Sequence, residues 1–410
     1  MSRVCVIGAG IVGCATAYQL ARAGHRVTLV DERPGPGMLT SAANGAQLSY
    51  AYVEPFASPA TLRALPKMLA SRSSPVRFRL RADWRQWAWG ARFLLACRQA
   101  QVERATGQLL ELARLSRDTL ERWMRAEDWQ FSFARNGKLV LCPDMATLRR
   151  QQAQVRMQAG YGCEQHVLGK SECLAIEPTL AAGSAPFVGG IWTPGECVGD
   201  PQRLCAELVK SLRLLDGNVR FGERVDSLRR EGACVVAART ASSEIEADAF
   251  VLAAGPHAAR LAATMGAHLP IYPIRGYSLT LRYRGARRPK VSVTHLGQKT
   301  VYAPVGDVLR VAGMAEVDGY ESVVPPDRIE ALLRSVAEVY PDLCDAEPCS
   351  PWSGLRPATP TSLPIVEQLP GTNLFVNAGH GALGLTLAAG SAATVERLIA
   401  RRVLHGPAGG

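Results

Sequence analysis

Three glycines and one carboxylate near the N-terminus have the types and spacing of a phosphate and ribose site. Gly8, Gly10 and Gly13 form G-x-G-x-x-G, and Asp31 follows 18 residues after the last glycine, with Glu32 beside it. Gly8 permits a tight turn, Gly10 lets a pyrophosphate approach the backbone, and Gly13 allows close helix–strand packing. Free N–H groups at a helix N-terminus would face the phosphates, and Asp31 would accept hydrogen bonds from a ribose 2′-OH. The chemistry these residues predict is dinucleotide binding.

That chemistry requires elements to position it. Val4–Ile7 is an apolar run suited to a buried parallel strand, Ile11–Ala23 a small, apolar helix with Gly24 as its stop, and Val27–Val30 a second strand ending at Asp31. Further on, helices are predicted over Glu103–Glu127 and Met145–Ala159, and from Pro201 through Leu212 after Asp200. Gly137–Cys142 and Gly189–Thr193 read as strands. Val219–Gly255 reads as three strands, namely VRFGERVDSLRR, CVVAART and ADAFVLAAG, the last closing on Gly255. The fold class expected is α/β. A discontinuous Rossmann-like cofactor domain (1–50, 185–260 and 350–405) accompanies an α+β substrate domain with a mixed or antiparallel sheet (51–184 and 261–349), and 406–410 is a loose tail.

At 410 residues, 47% hydrophobic and 20% charged, the composition is that of an ordinary globular protein. No run reaches the ~18–20 uninterrupted apolar residues of a membrane span, and the dinucleotide unit accounts for the apolar N-terminus without an export signal. Eleven cysteines, several (Cys5, Cys14, Cys142, Cys205) inside apolar stretches and none in C-x-x-C, predict buried free thiols in a reducing compartment, with no metal site. Net charge is +11. Nine Arg or Lys and a single acid, Asp83, lie between Arg63 and Arg98, interleaved with Trp84, Trp87 and Trp89 and followed by Phe93-Leu94-Leu95. This pattern fits a helix at a membrane interface and equally an amphipathic helix whose tryptophans face a core; a nucleic-acid surface is the third alternative.

Several further motifs recur in a fixed order. They are Ser41-Ala42-Ala43-Asn44-Gly45-Ala46-Gln47-Leu48-Ser49, Gly189-Gly190…Pro194 with Asp200, Tyr272–Thr280 (YPIRGYSLT), Arg310–Glu316 (RVAGMAE), Gly354-Leu355-Arg356-Pro357, and Asn377-Ala378-Gly379-His380-Gly381. Together they resemble the FAD-dependent D-amino-acid dehydrogenase family, within the glycine-oxidase and D-amino-acid-oxidase flavoproteins, over most of the chain. The resemblance resolves the dinucleotide as FAD.

It also implies a site. Ser41, Ala43, Asn44, Gly45, Gln47 and Leu48 would lie along the ribityl chain and flavin ring, Asn44 or Gln47 contributing side chains. Val225 and Gly255 would pass close to the cofactor, as would Gly354 and Arg356. Gly381, Leu383, Gly384 and Thr386 would open the small-residue helix Leu385–Ile399, whose N–H dipoles favour negative charge on the reduced flavin. His380 is placed nearer the flavin than the substrate. Arg356 would hold the substrate carboxylate, because arginine offers a planar, permanently charged, bidentate partner. Tyr277 and Tyr52 would contribute hydroxyls, Tyr52 from a loop able to act as a lid. The implied reaction is oxidative deamination of a D-amino acid or cyclic imino acid. The Cα–H leaves as a hydride to flavin N5, and electrons pass to a quinone or another acceptor.

The chain departs from the family pattern in three places. Where T-P-D-G-x-P-x-x-G is common it reads Thr359-Pro360-Thr361-Ser362-Leu363-Pro364-Ile365-Val366-Glu367, Leu385 replaces a frequent aromatic, and the chain ends soon after the last helix. A specialised amine substrate is expected on this ground. The alternatives are an oxygen-using oxidase of the glycine or sarcosine type and a flavin-containing RNA-modifying protein. The latter would carry a basic tail or a methyltransferase domain, neither of which is evident, so no nucleic-acid partner is expected. The expected location is cytoplasmic, with a peripheral place on the inner face of the cytoplasmic membrane if the Arg/Trp segment meets a quinone there.

Overall fold

The computed structural model describes residues 1–70, 74–321, 323–345 and 350–405; the expected tail at 406–410 lies outside the described residues, as does Cys349. β1 (Arg3–Ile7), α1 (Ile11–Arg22) and β2 (Arg26–Asp31) form where the sequence places them. β1 pairs in parallel with β2 on one side and with the strand Ala249–Leu252 on the other. A strand covered on both faces needs a continuous apolar run, which is what Val4–Ile7 supplies. Ile7 stands opposite Val30 and Leu252, so three strands end together at the carboxyl edge of the sheet. Ligands of open α/β sheets bind in the crevice beyond that edge.

The parallel sheet has six strands, in the order Ile365–Gln368, Leu374–Ala378, Ala249–Leu252, β1, β2, Asn218–Phe221, and its first pair is antiparallel. The stretch VRFGERVDSLRR is two strands rather than one. It turns at Gly222 (φ +76°), so that Asn218–Phe221 completes the parallel sheet. Val225–Glu231 instead joins Cys234–Thr240 and Glu244–Glu246 in a small antiparallel sheet.

A second, nine-stranded mixed sheet carries the substrate side, with Ser350–Ala358 at one edge, followed by Tyr272–Arg282 and Val308–Val317, and Lys138–Cys142, Gly189–Thr193 and His166–Gly169 toward the other edge. Two pieces expected in the cofactor domain, Gly189–Thr193 and Ser350–Ala358, are therefore strands of the mixed sheet, paired with Lys138–Cys142 and Tyr272–Arg282 respectively. The opposite exchange also occurs. The long helix Gln99–Ala126, expected with the substrate domain, packs on the C-terminal helix Gly384–His405, and Leu120 and Trp123 share a core with Tyr18 of α1 and with Val395 and Ile399. Tyr18 meets Trp123 edge-on at 5.2 Å. The C-terminal helix is long and apolar enough to cross a membrane by composition, and its apolar surface is used instead against α1 and the long helix.

The Arg/Trp segment folds into α2 (Pro59–Ala70), the strand Val76–Phe78 and α3 (Trp84–Ala96). Asp83 caps α3 by accepting from the Arg85 N–H. The tryptophans divide between the two expectations: Trp89 is buried and stacks on Phe93 at 5.0 Å, whereas Trp84 and Trp87 are 64% and 56% exposed and lie with Leu94 and Leu95 at the surface. Cys5, Cys14, Cys142 and Cys205 are buried and free, and among the described residues there is no disulfide and no cluster of metal-ligating side chains.

Candidate active site

A cavity of about 1080 Å³ runs from the carboxyl edge of the parallel sheet to the face of the mixed sheet. It lies just above the ~300–1,000 Å³ usual for small-ligand sites, as befits a cofactor plus a substrate. At its first end the backbone of Gly8 is left-handed (φ +108°), and a Cβ on Gly13 would stand 1.7 Å from the Gly8 carbonyl oxygen. That contact is why α1 can start directly under the strand end. Gly13 itself does not line the cavity; its role is the packing that the motif predicts.

No side chain of the N-cap residue, Gly10, closes the start of α1. The Ile11 N–H donates to Ser41 Oγ (3.0 Å), which draws the loop after β2 against the helix. Asp31 accepts from the N–H groups of Ala9 (2.6 Å) and Arg33 (2.8 Å). Burial pushes its carboxyl upward and these N–H bonds oppose the shift. Asp31 thus holds the glycine loop and lines the cavity at the same time, with the exposed Glu32 beside it. Val225 and Gly255 line the same end.

The middle of the cavity is walled by the loop Ser41–Ser49 and by the start of the C-terminal helix. Ser41, Ala43, Asn44, Gly45 and Gln47 line it, and so do Gly354, Gly381, Leu383, Gly384 and Thr386. Leu48 does not. It is fully buried behind the wall, where its short strand pairs with Cys197–Val198. The amide oxygen of Asn44 is committed within the loop: Oδ1 accepts from the Ala46 N–H (2.8 Å), closing a local turn at a left-handed Ala46. Gln47 Nε2 points to Thr294 Oγ1 (3.4 Å). The loop's carbonyls are held from the mixed sheet, Ala43 by Ser278 Oγ (2.6 Å) and Asn44 by Arg310 (3.2 Å). What the loop presents to the cavity is therefore mainly backbone.

His380 is buried, with Nε2 at 3.1 Å from Ser391 Oγ, and burial pushes its pKa down to about 3, so the ring is neutral. The Ser49 N–H donates to Thr386 Oγ1 (3.0 Å), tying the loop to the C-terminal helix.

Arg356 stands at the far end. It is half-buried, lines the cavity, and donates to the Met314 carbonyl (3.0 Å). Among the described residues no carboxylate is within ion-pair distance of it, and burial alone lowers its pKa to about 10. A buried guanidinium without a counter-ion is costly unless an anion arrives. Met314 is left-handed (φ +63°) at a bulge where the register slips between Arg275 opposite Glu316 and Tyr277 opposite Gly313. The bulge turns the Met314 carbonyl toward Arg356.

The two tyrosines differ from expectation. Both line the cavity, but the hydroxyl of Tyr277 donates to Glu316 (2.7 Å) and that of Tyr52 to Gln151 (2.8 Å). Neither acceptor lines the cavity, so each proton is directed into the protein and the rings form wall. Glu316 is itself held by Arg328 and by Arg77 (3.3 Å), a buried network that the sequence motif R-V-A-G-M-A-E contains without revealing.

Sequence reasoning missed Lys138. It sits at the start of a wholly buried strand, lines the cavity, donates to Ser49 Oγ (2.9 Å) and lies 4.6 Å from the centre of the Tyr52 ring. Burial pushes its pKa down to about 8. Glu196, the buried acid nearest in effect, already accepts from the N–H groups of Tyr50 (2.6 Å), Ala51 (2.9 Å) and Tyr52 (2.8 Å). The signal that could have found Lys138 was one cation in an otherwise apolar strand, Lys138–Cys142.

The sequence profile of the FAD dependent oxidoreductase family (DAO) matches residues 3–398. This chain belongs to that family. It is 44% identical over 411 residues to D-amino acid dehydrogenase 2 of Ralstonia nicotianae, covering 98% of this chain and 97% of the relative. It is 43% identical to D-amino acid dehydrogenase 2 of Pseudomonas aeruginosa, over 98% and 95% of the two chains. Its fold matches that of glycine oxidase from Geobacillus kaustophilus with a TM-score of 0.76, at 22% identity, over 98% and 95% of the chains.

The cavity fits the cofactor of the FAD dependent oxidoreductases. The start of α1 at Gly10–Val12, where Ser41 takes the Ile11 N–H and the N-cap glycine offers no side chain, suits a pyrophosphate, and Asp31 and Glu32 suit a ribose. The backbone-lined middle ends at the N-terminus of the C-terminal helix, where Thr386 and the helix N–H groups suit an electron-rich ring edge. The protein is an FAD-dependent oxidoreductase.

Proposed function

We propose that the protein is a D-amino-acid dehydrogenase, oxidising the Cα–N bond of its substrate and passing the electrons to a membrane quinone. The observation that carries the substrate class is Arg356: a half-buried, largely desolvated guanidinium, unpaired by any carboxylate among the described residues, at the end of the cavity away from Asp31. A planar carboxylate satisfies it bidentately. The relatives named D-amino acid dehydrogenase support the D-configuration.

Bound FAD supplies the hydride acceptor. The chain's own contribution is positioning and exclusion of water. Arg356 fixes the carboxylate, Met314 fixes Arg356, and the rings of Tyr277 and Tyr52 form apolar wall. No dedicated side-chain base is required once the substrate amine is neutral. Ser41, Gly45 and Gln47, with Gly354, Gly381, Leu383, Gly384 and Thr386, would hold the cofactor ring and its chain, and Gly8, Gly10, Asp31, Glu32, Val225 and Gly255 would hold the adenosine end.

The quinone reading rests on α3. Its outer face carries Trp84, Trp87, Leu94 and Leu95 beside Arg85 and Arg92, the composition of a helix that lies in an anionic lipid interface. Its inner face, Trp89 and Phe93, packs on the strands that carry the cavity. A peripheral position on the inner face of the cytoplasmic membrane follows from this reading.

Anaerobic mixing with a panel of D- and L-amino acids tests the substrate class. Bleaching of the flavin by D-amino acids is expected, and no bleaching by any amino acid rejects it. Reoxidation of the reduced enzyme by a soluble quinone, faster than by oxygen, is expected for the acceptor; rapid peroxide formation would reject a dehydrogenase.

A further inference from the structure

We propose that Ser362 is a specificity-positioning residue, which binds the backbone at Phe56 and so fixes that ring as a wall of the substrate end of the cavity. The proposal rests on the amino-acid reading above.

Ser362 is left-handed (φ +67°), a conformation that glycine adopts freely and serine does not. In that conformation its Oγ accepts from the N–H groups of Phe56 (3.0 Å) and Ala57 (3.4 Å). The Phe56 carbonyl accepts in turn from Thr61 Oγ1 (2.8 Å), in the first turn of α2. Both backbone polar groups of Phe56 are thus held, one by the turn after the Arg356 strand and one by the following helix. The ring lines the cavity and packs on Phe93 of α3 at 5.5 Å.

Arg356 and Ser362 belong to one continuous segment, the strand Ser350–Ala358 and the turn that follows it, in which the Ser362 N–H donates to the Thr359 carbonyl (3.2 Å). The same segment therefore anchors the substrate carboxylate at one point and the Phe56 wall at another. The separation of the two sets how large a side chain fits between them. A glycine at 362 would accept the backbone geometry and lose the hydroxyl, leaving the loop before α2 without its acceptor.

The holoenzyme carrying Ser362→Gly is compared with wild type across D-amino acids graded in size from alanine to phenylalanine. The ratio of KM for phenylalanine to KM for alanine is expected to fall about fivefold, the effect of losing the hydroxyl that accepts from the backbone at Phe56 and Ala57, while kcat for alanine is unchanged. Hydrogen exchange of residues 54–58 should accelerate in parallel. Ser362→Asn, which tolerates the left-handed backbone and brings back an acceptor, should restore both the ratio and the protection. An unchanged KM ratio, or unchanged exchange, in Ser362→Gly overturns the proposal while leaving the reading of function intact. A wild-type enzyme that oxidises no amino acid overturns both.

Discussion

The guanidinium of Arg356 occupies the space that a side chain at Gly276 would fill. An ideal Cβ on Gly276 would stand 2.3 Å from the nearer terminal guanidinium nitrogen of Arg356 and 2.5 Å from its central carbon. The two residues lie on adjacent strands, with Ile274 opposite Arg356 and Gly276 opposite Gly354. The arginine crosses its neighbour strand at the one position without a side chain, and this passage delivers it to the cavity.

Gly276→Ala is therefore expected to displace Arg356 without touching the cofactor. KM for the amino acid should rise by roughly 10-fold or more, with FAD content unchanged; Arg356→Ala should weaken carboxylate binding further, by about 2–3 kcal/mol or roughly 30- to 150-fold. Steady-state kinetics and titration with a non-reactive carboxylate check both. An unaltered carboxylate affinity in Arg356→Ala rejects its role.

Lys138 is buried with its pKa lowered to about 8 from an ordinary 10.5. The folded state disfavours its charge, so the penalty is full below pH 8 and disappears as pH rises toward 10.5, where the unfolded chain also loses the proton. Lys138→Met removes the penalty. The variant's stability advantage in flavin-free protein is expected to be largest near pH 7 and to shrink across pH 8–10.5, as measured by urea unfolding. An advantage independent of pH would show that folding does not lower the pKa of Lys138.

His380 acts in the same direction over a lower pH window. Its pKa is pushed down from 6.5 to about 3, so the neutral ring stabilises the fold fully above 6.5, and this contribution is lost as pH falls from 6.5 through about 3. His380→Asn should lose less stability than wild type between pH 7 and pH 4 in thermal or urea unfolding. Equal losses would mean that other groups dominate acid unfolding.

The exposed face of α3 can be altered without touching its core face. Replacing Trp84 and Trp87 by serine is expected to change stability by no more than about 0.5 kcal/mol each. Sedimentation with phosphatidylglycerol-containing vesicles should fall severalfold. Unchanged sedimentation would remove the membrane-surface reading of this helix.

How much was legible in the sequence differs along the chain for a physical reason. The Gly8–Asp31 unit was readable because its determinants are local: the turn, the helix start and the acid lie within one β-α-β segment, and β1 is apolar because it is covered on both faces. The resemblance of Gly354–Pro357 and of Asn377–Gly381 located Arg356 and the C-terminal helix. The domain pieces were less legible, because Gly189–Thr193 and Ser350–Ala358 have ordinary strand sequences and nothing local states which sheet they pair with. The Val219–Arg230 stretch likewise hid a turn at Gly222 behind continuous strand composition.

The sequence by itself determined the dinucleotide unit, the order of the elements and the presence of an arginine suited to a carboxylate, since each depends on residues close together in the chain. Only the tertiary structure decided where side chains are committed. It turned the Tyr277 and Tyr52 hydroxyls toward Glu316 and Gln151, sent the Asn44 side chain into its own turn, and placed Lys138 against Ser49. It also left Arg356 without a counter-ion among the described residues and joined Ser362 to Phe56, 306 positions away. Hydrogen bonds and desolvation act through space, and a buried polar group takes whichever partner packing brings within about 3 Å.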